Sequence, residues 1–202
     1  MPTPATSETS SRILDVAEHL VQTRGFNAFS YADVADALHI TKASLHYHFP
    51  TKATLGERLI ERYRESFLAA LRRIDESGRE AGAKLRAYVD TYAQVLDRDR
   101  ICLCGMLSAD YATLPKAMQD QLRAFFDANE AWLAEVLRRG RVDRELTFAG
   151  PPVEAARVLV AALEGAMLLA RTHGDPSRLR SAAERLLGDL GVAAPAPAET
   201  AA

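Results

Sequence analysis

Residues 41–52 read Thr-Lys-Ala-Ser-Leu-His-Tyr-His-Phe-Pro-Thr-Lys, and this stretch decides both the fold and the ligand class of the chain. Thr41 is a good N-cap residue, so a short helix is expected to begin after it. Leu45 and Phe49 lie four residues apart and form one buried stripe. Most of the other side chains can donate hydrogen bonds, and positions 37–56 contain no Asp or Glu. The stretch is therefore expected to attract a polyanion.

A second predicted helix precedes this stretch. Ser30 can cap a helix over residues 31–38, in which Val34 and Leu38 face the core. Ile40 then returns to the core directly after the turn. Two short helices joined by about three residues form a helix-turn-helix, whose second helix enters the major groove of DNA.

From about residue 11 to residue 59, the chain resembles the DNA-binding domain of the TetR/AcrR transcriptional regulators. The recognition helix of that family commonly ends in Leu-Tyr-Tyr-His-Phe-x-x-Lys, and here positions 45–52 read Leu-His-Tyr-His-Phe-Pro-Thr-Lys. This chain departs from the family at His46, where an aromatic residue, most often Tyr, is usual, and at His39, where the turn usually contains Gly. Histidine adopts the left-handed backbone of such a turn at a cost of about 1 kcal/mol. We expect both departures to affect which operator is bound and neither to affect the fold.

The resemblance and the local pattern together predict the DNA contacts. Thr41 and Lys52 are expected to fix the helix on the DNA backbone, because Lys52 stands in the first turn of the next helix, where free N–H groups favour a phosphate. The residues expected to face base edges or phosphates are Lys42, Ser44, His46, Tyr47 and His48. A Lys/His/Tyr-rich helix taken alone is usually a solvated face. The preceding helix, the turn and the Phe49 anchor favour DNA binding.

Length and composition are those of a globular protein. The chain has 202 residues, of which 48% are hydrophobic and 26% charged, enough for one domain or two small ones. The net charge of −2 does not by itself support nucleic-acid binding, so the local arrangement must support it. The first residues have neither a basic start nor an apolar core, so a secretory signal is not indicated and cytoplasmic residence is the default expectation. Composition predicts disorder in an arm over 1–9 and in an Ala/Pro-rich tail over 192–202.

The rest of the chain predicts an all-α fold of about nine helices, because no strand pattern or internal repeat occurs. The predicted division is a helix-turn-helix DNA-binding domain over 10–52 and a helical ligand-binding and dimerisation domain over 53–191. The first helix is expected to begin at residue 10 or 11 and to run to Arg24, with Gly25 as its stop. Helical periodicity predicts the remaining helices over 52–74, 83–96, 103–111, 115–139 with Gly140 as its end, 153–173 and 177–190.

The helix predicted over 153–173 is apolar nearly all round. A membrane span is set aside, because Glu154, Arg157 and Glu164 interrupt a stretch that is barely long enough to cross. A helix without a polar face must be covered on both sides, and Gly165 permits close packing of a second helix. Two helices from each of two chains would form a four-helix interface with two-fold symmetry, so the sequence predicts a homodimer.

The resemblance implies a homodimeric repressor of a palindromic DNA operator, with a small-molecule effector that changes the separation of the two recognition helices. An effector pocket is mostly apolar with a few inward polar groups. Ordinary core packing is the commoner explanation for aromatic residues and Met, whereas a structural hydrogen bond or an interface ion pair is as open as a ligand role for Asn129 and Glu164. The candidate ligand-binding residues are Tyr88, Tyr92, Met106, Asp110, Tyr111, Asn129, Trp132, Glu164 and His173.

Cys102 and Cys104 are the only cysteines. On a helix, side chains two residues apart point about 200° away from each other, which disfavours a disulfide. No further metal ligands lie nearby in sequence. Structural thiols are the first expectation, and a thiol- or redox-sensing regulator is the alternative. A cysteine-dependent enzyme is the third hypothesis, but no Cys-His motif and no Gly-rich oxyanion turn supports it. The sequence therefore indicates no enzyme, no metal and no cofactor.

Overall fold

The computed structural model describes the backbone of residues 4–193 and the side chains of residues 8–193. Within that range all regular structure is helical, which confirms the predicted all-α class. No helix in this range is long and apolar enough to cross a membrane. The helices are α1 (Pro4–Arg24), α2 (Tyr31–Leu38), α3 (Lys42–His48), α4 (Lys52–Glu76), α5 (Ala81–Leu96), α6 (Leu103–Ala109), α7 (Lys116–Val142), α8 (Pro152–His173) and α9 (Ser177–Asp189), with a 3-10 turn at Tyr111–Thr113.

The helices form two compact units. The first unit comprises the described residues up to Ala70 together with Asp97–Ala128, and the second comprises Leu71–Leu96 together with the described residues from Asn129 onward. Helices α4 and α7 are continuous and contribute residues to both units. These units are defined by packing. The predicted boundary at residue 52 instead separates a DNA-binding domain from a regulatory domain, and it stays a prediction.

The core of the first unit is built on the apolar face of α1, which packs against α2, α3 and α6. Ile13, Ala17 and Val21 are fully buried there. The helix ends at Arg24 because Gly25 has a left-handed backbone, with φ at +93°. Beyond it, Phe26 and Phe29 are buried, and their rings meet edge to face with centroids 5.9 Å apart.

The predicted disorder of the N-terminal arm is partly wrong, and that of the C-terminal tail stays a prediction. Helix α1 begins at Pro4, so the expected disordered arm is helical over residues 4–9. Proline is favoured in the first turn of a helix, where its missing N–H costs no hydrogen bond, and Ser and Thr lower helix propensity only slightly. At the other end, the N–H of Val192 donates to the carbonyl of Leu187 over 3.0 Å. Residues 1–3 and 194–202 lie outside the described range.

The second unit is formed by α5, α8, α9 and the segments of α4 and α7 that belong to it. Helices α5, α8 and α9 pack against one another. The buried face of α8 includes Leu159, Leu163 and Met167. The helix ends where Gly174 adopts a left-handed backbone with φ at +62°.

Gly140 does not end α7, which continues to Val142, so the predicted stop is wrong. The glycine is required by close packing. A Cβ at this position would lie 2.5 Å from the Cβ of Ala81 and 2.6 Å from Cδ1 of Leu146. Gly140 is therefore present because another segment packs closely against α7, and not because the helix ends there.

Candidate nucleic-acid interface

Local interactions cap both ends of α2, the first helix of the helix-turn-helix. The carboxylate of Asp33 accepts hydrogen bonds of 2.7 Å from both the N–H and the hydroxyl of Ser30. These bonds, the hydroxyl bond foremost, hold the pKa of Asp33 below its usual range. At the other end, His39 has φ at +55° and ψ at +43°, so it adopts the predicted left-handed conformation. His39 thus makes the turn that directs the chain into α3.

The recognition helix α3 is capped and anchored as its sequence predicts. The hydroxyl of Thr41 accepts a 3.1 Å hydrogen bond from the N–H of Ser44, which makes Thr41 the N-cap. Leu45 and Phe49 are buried in the core of the first unit. The short helix is therefore held by its two apolar residues, while its opposite face is open to solvent.

The open face of α3 carries the predicted DNA-contacting side chains. Tyr47 is 77% exposed, and its ring makes an edge contact with the ring of His48 at a centroid distance of 5.3 Å. Thr41, Lys42 and His46 are exposed as well, and Ser44 and His48 are partly exposed. An exposed tyrosine and an exposed lysine on one short helix are suited to contact phosphates and base edges.

Tyr31, which the sequence did not single out, supports the end of α3. Its hydroxyl donates a 2.7 Å hydrogen bond to the carbonyl of Phe49, and burial raises the pKa of Tyr31 to about 12. The rings of Tyr31 and His46 lie 4.8 Å apart, and Nδ1 of His46 is 3.2 Å from the carbonyl oxygen of Pro50. The imidazole of His46 therefore contacts the protein through one ring face and through Nδ1.

Lys52 is bound to the loop that joins α1 and α2. Its Nζ donates hydrogen bonds of 2.5 Å to the carbonyls of Phe26 and Phe29 and lies over both rings, 4.7 and 4.3 Å from their centroids. Burial lowers the pKa of Lys52, while the carboxylates of Asp110 and Asp33 oppose this effect. Because these bonds use two of the three N–H groups, the phosphate contact predicted for Lys52 would depend on the third.

Asp110 holds the same loop from the other side. Its Oδ2 accepts hydrogen bonds from the N–H groups of Phe26 and Asn27 over 2.9 and 3.4 Å, and its Oδ1 accepts one from Nδ2 of Asn27 over 3.0 Å. Nδ2 of Asn27 also donates to the hydroxyl of Thr113 over 2.9 Å. Both carboxylate oxygens of Asp110 thus accept hydrogen bonds from the α1–α2 loop. This arrangement does not support the ligand contact predicted for Asp110. Sequence reasoning missed this role because the partners lie 84 and 83 residues away.

Four of the predicted ligand-binding residues come together in the second unit. The hydroxyl of Tyr88 donates to Oδ1 of Asn129 over 2.8 Å and lies 3.0 Å from the hydroxyl of Tyr92, to which Nδ2 of Asn129 donates over 3.4 Å. Tyr88, Tyr92 and Asn129 are buried. Trp132 stacks on Tyr88 at a centroid distance of 5.7 Å. We call Tyr88, Tyr92, Asn129 and Trp132 the aromatic cluster.

The other predicted ligand-binding residues lie in different places. The side chain of Met106 lies beside Gly25 in the first unit. Tyr111, in the 3-10 turn, has the guanidinium of Arg123 5.4 Å from its ring centroid. In the second unit, Glu164 is partly buried in the middle of α8, and His173 is exposed at the end of that helix.

Both cysteines are buried thiols of the first unit. Cys102 and Cys104 are 4% and 0% exposed, and the hydroxyl of Tyr63 donates to Sγ of Cys102 over 3.6 Å. Burial of this kind disfavours the reactive thiolate. It agrees with structural thiols and does not favour a redox sensor or a cysteine nucleophile. In the part of the chain with described side chains, no group of three or more His, Cys, Asp or Glu residues is placed to hold a metal ion.

Comparison with known proteins matches both halves of the chain. The family described as "Bacterial regulatory proteins, tetR family" matches residues 13–59, and the family described as "Tetracyclin repressor-like, C-terminal domain" matches residues 81–186. A curated relative, the HTH-type transcriptional repressor NemR of Escherichia coli (strain K12), is 28% identical over 169 residues, which are 81% of this chain and 84% of that protein.

Solved structures extend the likeness to nearly the whole length. A TetR-family transcriptional regulator from Agrobacterium tumefaciens has a TM-score of 0.88 and 30% identity, covering 92% of this chain and 98% of that chain. A TetR transcriptional regulator from Legionella pneumophila has a TM-score of 0.81 and 32% identity, covering 90% and 97%. With a helix-turn-helix in its first unit and family matches over both halves, the chain belongs to the tetR family of bacterial regulatory proteins.

Proposed function

We propose that this DNA-binding regulator is a homodimeric repressor that binds a palindromic operator through α3 and leaves it when a small molecule binds. The observation that carries the proposal is the geometry of α3, which is capped by Thr41, anchored by Leu45 and Phe49, and open on the face that carries Lys42 and Tyr47. Such a helix offers side-chain donors to base edges and phosphates without an acidic neighbour on the same helix. Repression, rather than activation, is proposed from the likeness to the repressor NemR.

The homodimer is supported by the outer face of α8. Val158, Leu168 and Leu169 are 57%, 51% and 58% exposed, and Ala161 and Gly165 lie on the same face at helical spacing. A stripe of large apolar side chains around two small residues is suited to close packing against another helix. We propose that the same stripe of a second copy covers it, because a two-fold axis brings identical surfaces together.

The effector site is proposed in the second unit, around the aromatic cluster. Its hydroxyl and amide groups lie among large aromatic rings, which is the usual combination in a small-molecule site. The bonds that now join Tyr88, Tyr92 and Asn129 to one another are of a kind that a polar ligand would exchange for its own. Asn129→Leu is expected to abolish the thermal shift produced by an effector.

The experiment that tests the function is selection of genomic fragments by the purified protein, followed by sequencing. Recovery of a palindrome is expected, with two half-sites about 10 base pairs or a multiple of that distance apart. The matched control is a Lys42→Ala/Tyr47→Ala double variant, which is expected to fold normally and to recover no common sequence. If the unaltered protein binds DNA without any sequence preference and with the same salt dependence as the control, the proposal is refuted.

A further inference from the structure

The imidazole of His46 has a defined hydrogen-bonding pattern. Its Nδ1 lies 3.2 Å from the carbonyl oxygen of Pro50. A carbonyl oxygen can only accept, so the hydrogen of this bond is on Nδ1. In a neutral imidazole, Nε2 then carries no hydrogen and is an acceptor. The side chain is exposed on α3, so this acceptor belongs to the face that is proposed to meet DNA.

The ring of His46 is held in this arrangement before any ligand binds. The ring of Tyr31 packs against it at a centroid distance of 4.8 Å. Tyr31 is itself fixed, because its hydroxyl donates to the carbonyl of Phe49 over 2.7 Å. Contact with a ring on one side and with the Pro50 carbonyl at Nδ1 limits the rotation of the imidazole. A partner bound at one ring nitrogen sets what the other nitrogen can do.

We propose that His46 determines specificity by accepting a hydrogen bond from the exocyclic amino group of a base, N4 of cytosine or N6 of adenine. This inference rests on the proposed function, because it requires α3 to enter the major groove. Among the polar groups there, only these two amino groups donate, whereas N7 and O6 of guanine, N7 of adenine and O4 of thymine accept. Phosphate oxygens also accept. An acceptor at Nε2 therefore selects an amino group against every other polar group of the groove and of the backbone.

The same argument explains what changes when the family's usual tyrosine is replaced. A phenol hydroxyl both donates and accepts, so it can pair with a phosphate. The imidazole of His46 would need a hydrogen on Nε2 to do so, either by giving up its bond to Pro50 or by taking up a proton. At this position the chain thus exchanges a contact that tolerates any sequence for one that selects a base.

The test uses the operator recovered by fragment selection, with single amino groups removed by chemical synthesis. Purine replaces adenine and 2-pyrimidinone replaces cytosine, one position at a time, and dissociation constants are measured for each duplex. The unaltered protein is compared with His46→Phe, which keeps a ring against Tyr31 but has no nitrogen, and with His46→Ala. His19→Phe, at an exposed histidine of α1, is the matched control. Comparing proteins on the same duplex cancels the effect of the analogue on the DNA itself.

At one position of each half-site, loss of the amino group is expected to weaken binding by the unaltered protein and by His19→Phe roughly five- to tenfold, as for one hydrogen bond. At that position, removal of the amino group is expected to change the dissociation constants of His46→Phe and His46→Ala less than twofold. The inference is overturned if all four proteins respond alike at every position. It is also overturned if the two His46 variants lose affinity for all duplexes and their salt slope falls by about 1, which indicates a phosphate contact. Absence of any operator preference in the unaltered protein would instead refute the proposed function.

Discussion

At the scale of single residues, the proposed DNA contact of Tyr47 can be tested separately from stability, because its side chain lies on the surface and not in the core. Its side chain is 77% exposed, and its ring meets the neighbouring His48 ring edge to face. We expect Tyr47→Ala to weaken operator binding by about 1–2 kcal/mol and to leave the free energy of unfolding within about 0.5 kcal/mol. Titration of a labelled operator and thermal unfolding measure the two effects. A variant that unfolds early would place Tyr47 in the core instead.

Lys52 combines a predicted DNA contact with an observed structural one. Lys52→Met keeps the apolar stem and removes the ammonium group, so the carbonyls of Phe26 and Phe29 lose a charged donor. We expect the free energy of unfolding to fall by about 1–2 kcal/mol, as for a partly buried charge-assisted bond. Chemical denaturation measures this change. Lys42→Met, at an exposed lysine of α3, is the control, and it should leave stability unchanged.

The salt dependence of operator binding separates the two roles of Lys52. If Lys52 contacts a phosphate through its third N–H, Lys52→Met loses that contact, and the slope of log K against log salt concentration should fall in magnitude by about 1. The same fall is expected for Lys42→Met if Lys42 contacts a phosphate. A stable Lys52→Met variant with a lower slope would show that the DNA contact is the main role and that the loop contacts contribute little.

At the scale of elements, two distant segments of the first unit support the α1–α2 loop. Lys52 at the start of α4 binds its carbonyls, and Asp110 after α6 binds its N–H groups. Peptide groups in a loop lack the regular partners of a helix, and here the side chains of Lys52 and Asp110 bind several of them. The loop sets where α2 and α3 begin, and its two supports therefore stabilise the helix-turn-helix as a whole.

Asp110→Asn tests this support. The neutral amide oxygen can still accept from the N–H groups of Phe26 and Asn27, but more weakly than a carboxylate does, and its NH₂ would face Nδ2 of Asn27, where two donors do not pair. We expect a loss of about 1–2 kcal/mol in stability and faster hydrogen exchange at Phe26 and Asn27. Asp90→Asn, at an exposed carboxylate of α5, should change neither quantity. Unchanged exchange in Asp110→Asn would contradict the role of Asp110 in the loop.

At the scale of the whole molecule, the exposed apolar stripe of α8 predicts the oligomeric state. Leu168→Glu places a charge in the proposed interface, where it would lose water without gaining a partner. We expect this variant to sediment as a monomer at concentrations where the unaltered protein is a dimer, and to bind a palindromic operator at least about tenfold more weakly, because only one half-site is held at a time. Val142→Glu is the control, since Val142 is 68% exposed and lies outside α8. A Leu168→Glu dimer of unchanged stability would refute the proposed interface.

The sequence by itself determined the helix-turn-helix and the recognition helix. The Thr41 cap, the Leu45 and Phe49 stripe and the left-handed His39 all depend on interactions within about four residues, and such interactions can be deduced from spacing. Two ends of the longer helices were predicted wrongly. Pro4 is favoured in the first turn of α1, which begins earlier than expected, and Gly140 is required by close packing with Ala81 and Leu146 and does not end α7. Family resemblance to the tetR regulators followed from the same local run of residues.

Only the tertiary structure decided which side chains meet across the chain. The bond from Lys52 to Phe26 joins residues 26 positions apart, and that from Asp110 to the same residue joins positions 84 apart. The bond between Tyr88 and Asn129 spans 41 positions. Such partners are brought together by the packing of helices, whose faces are set by periodicity but whose neighbours are not. For this reason the sequence identified the helix that is proposed to bind DNA, and the structure was needed to show which residues support that helix.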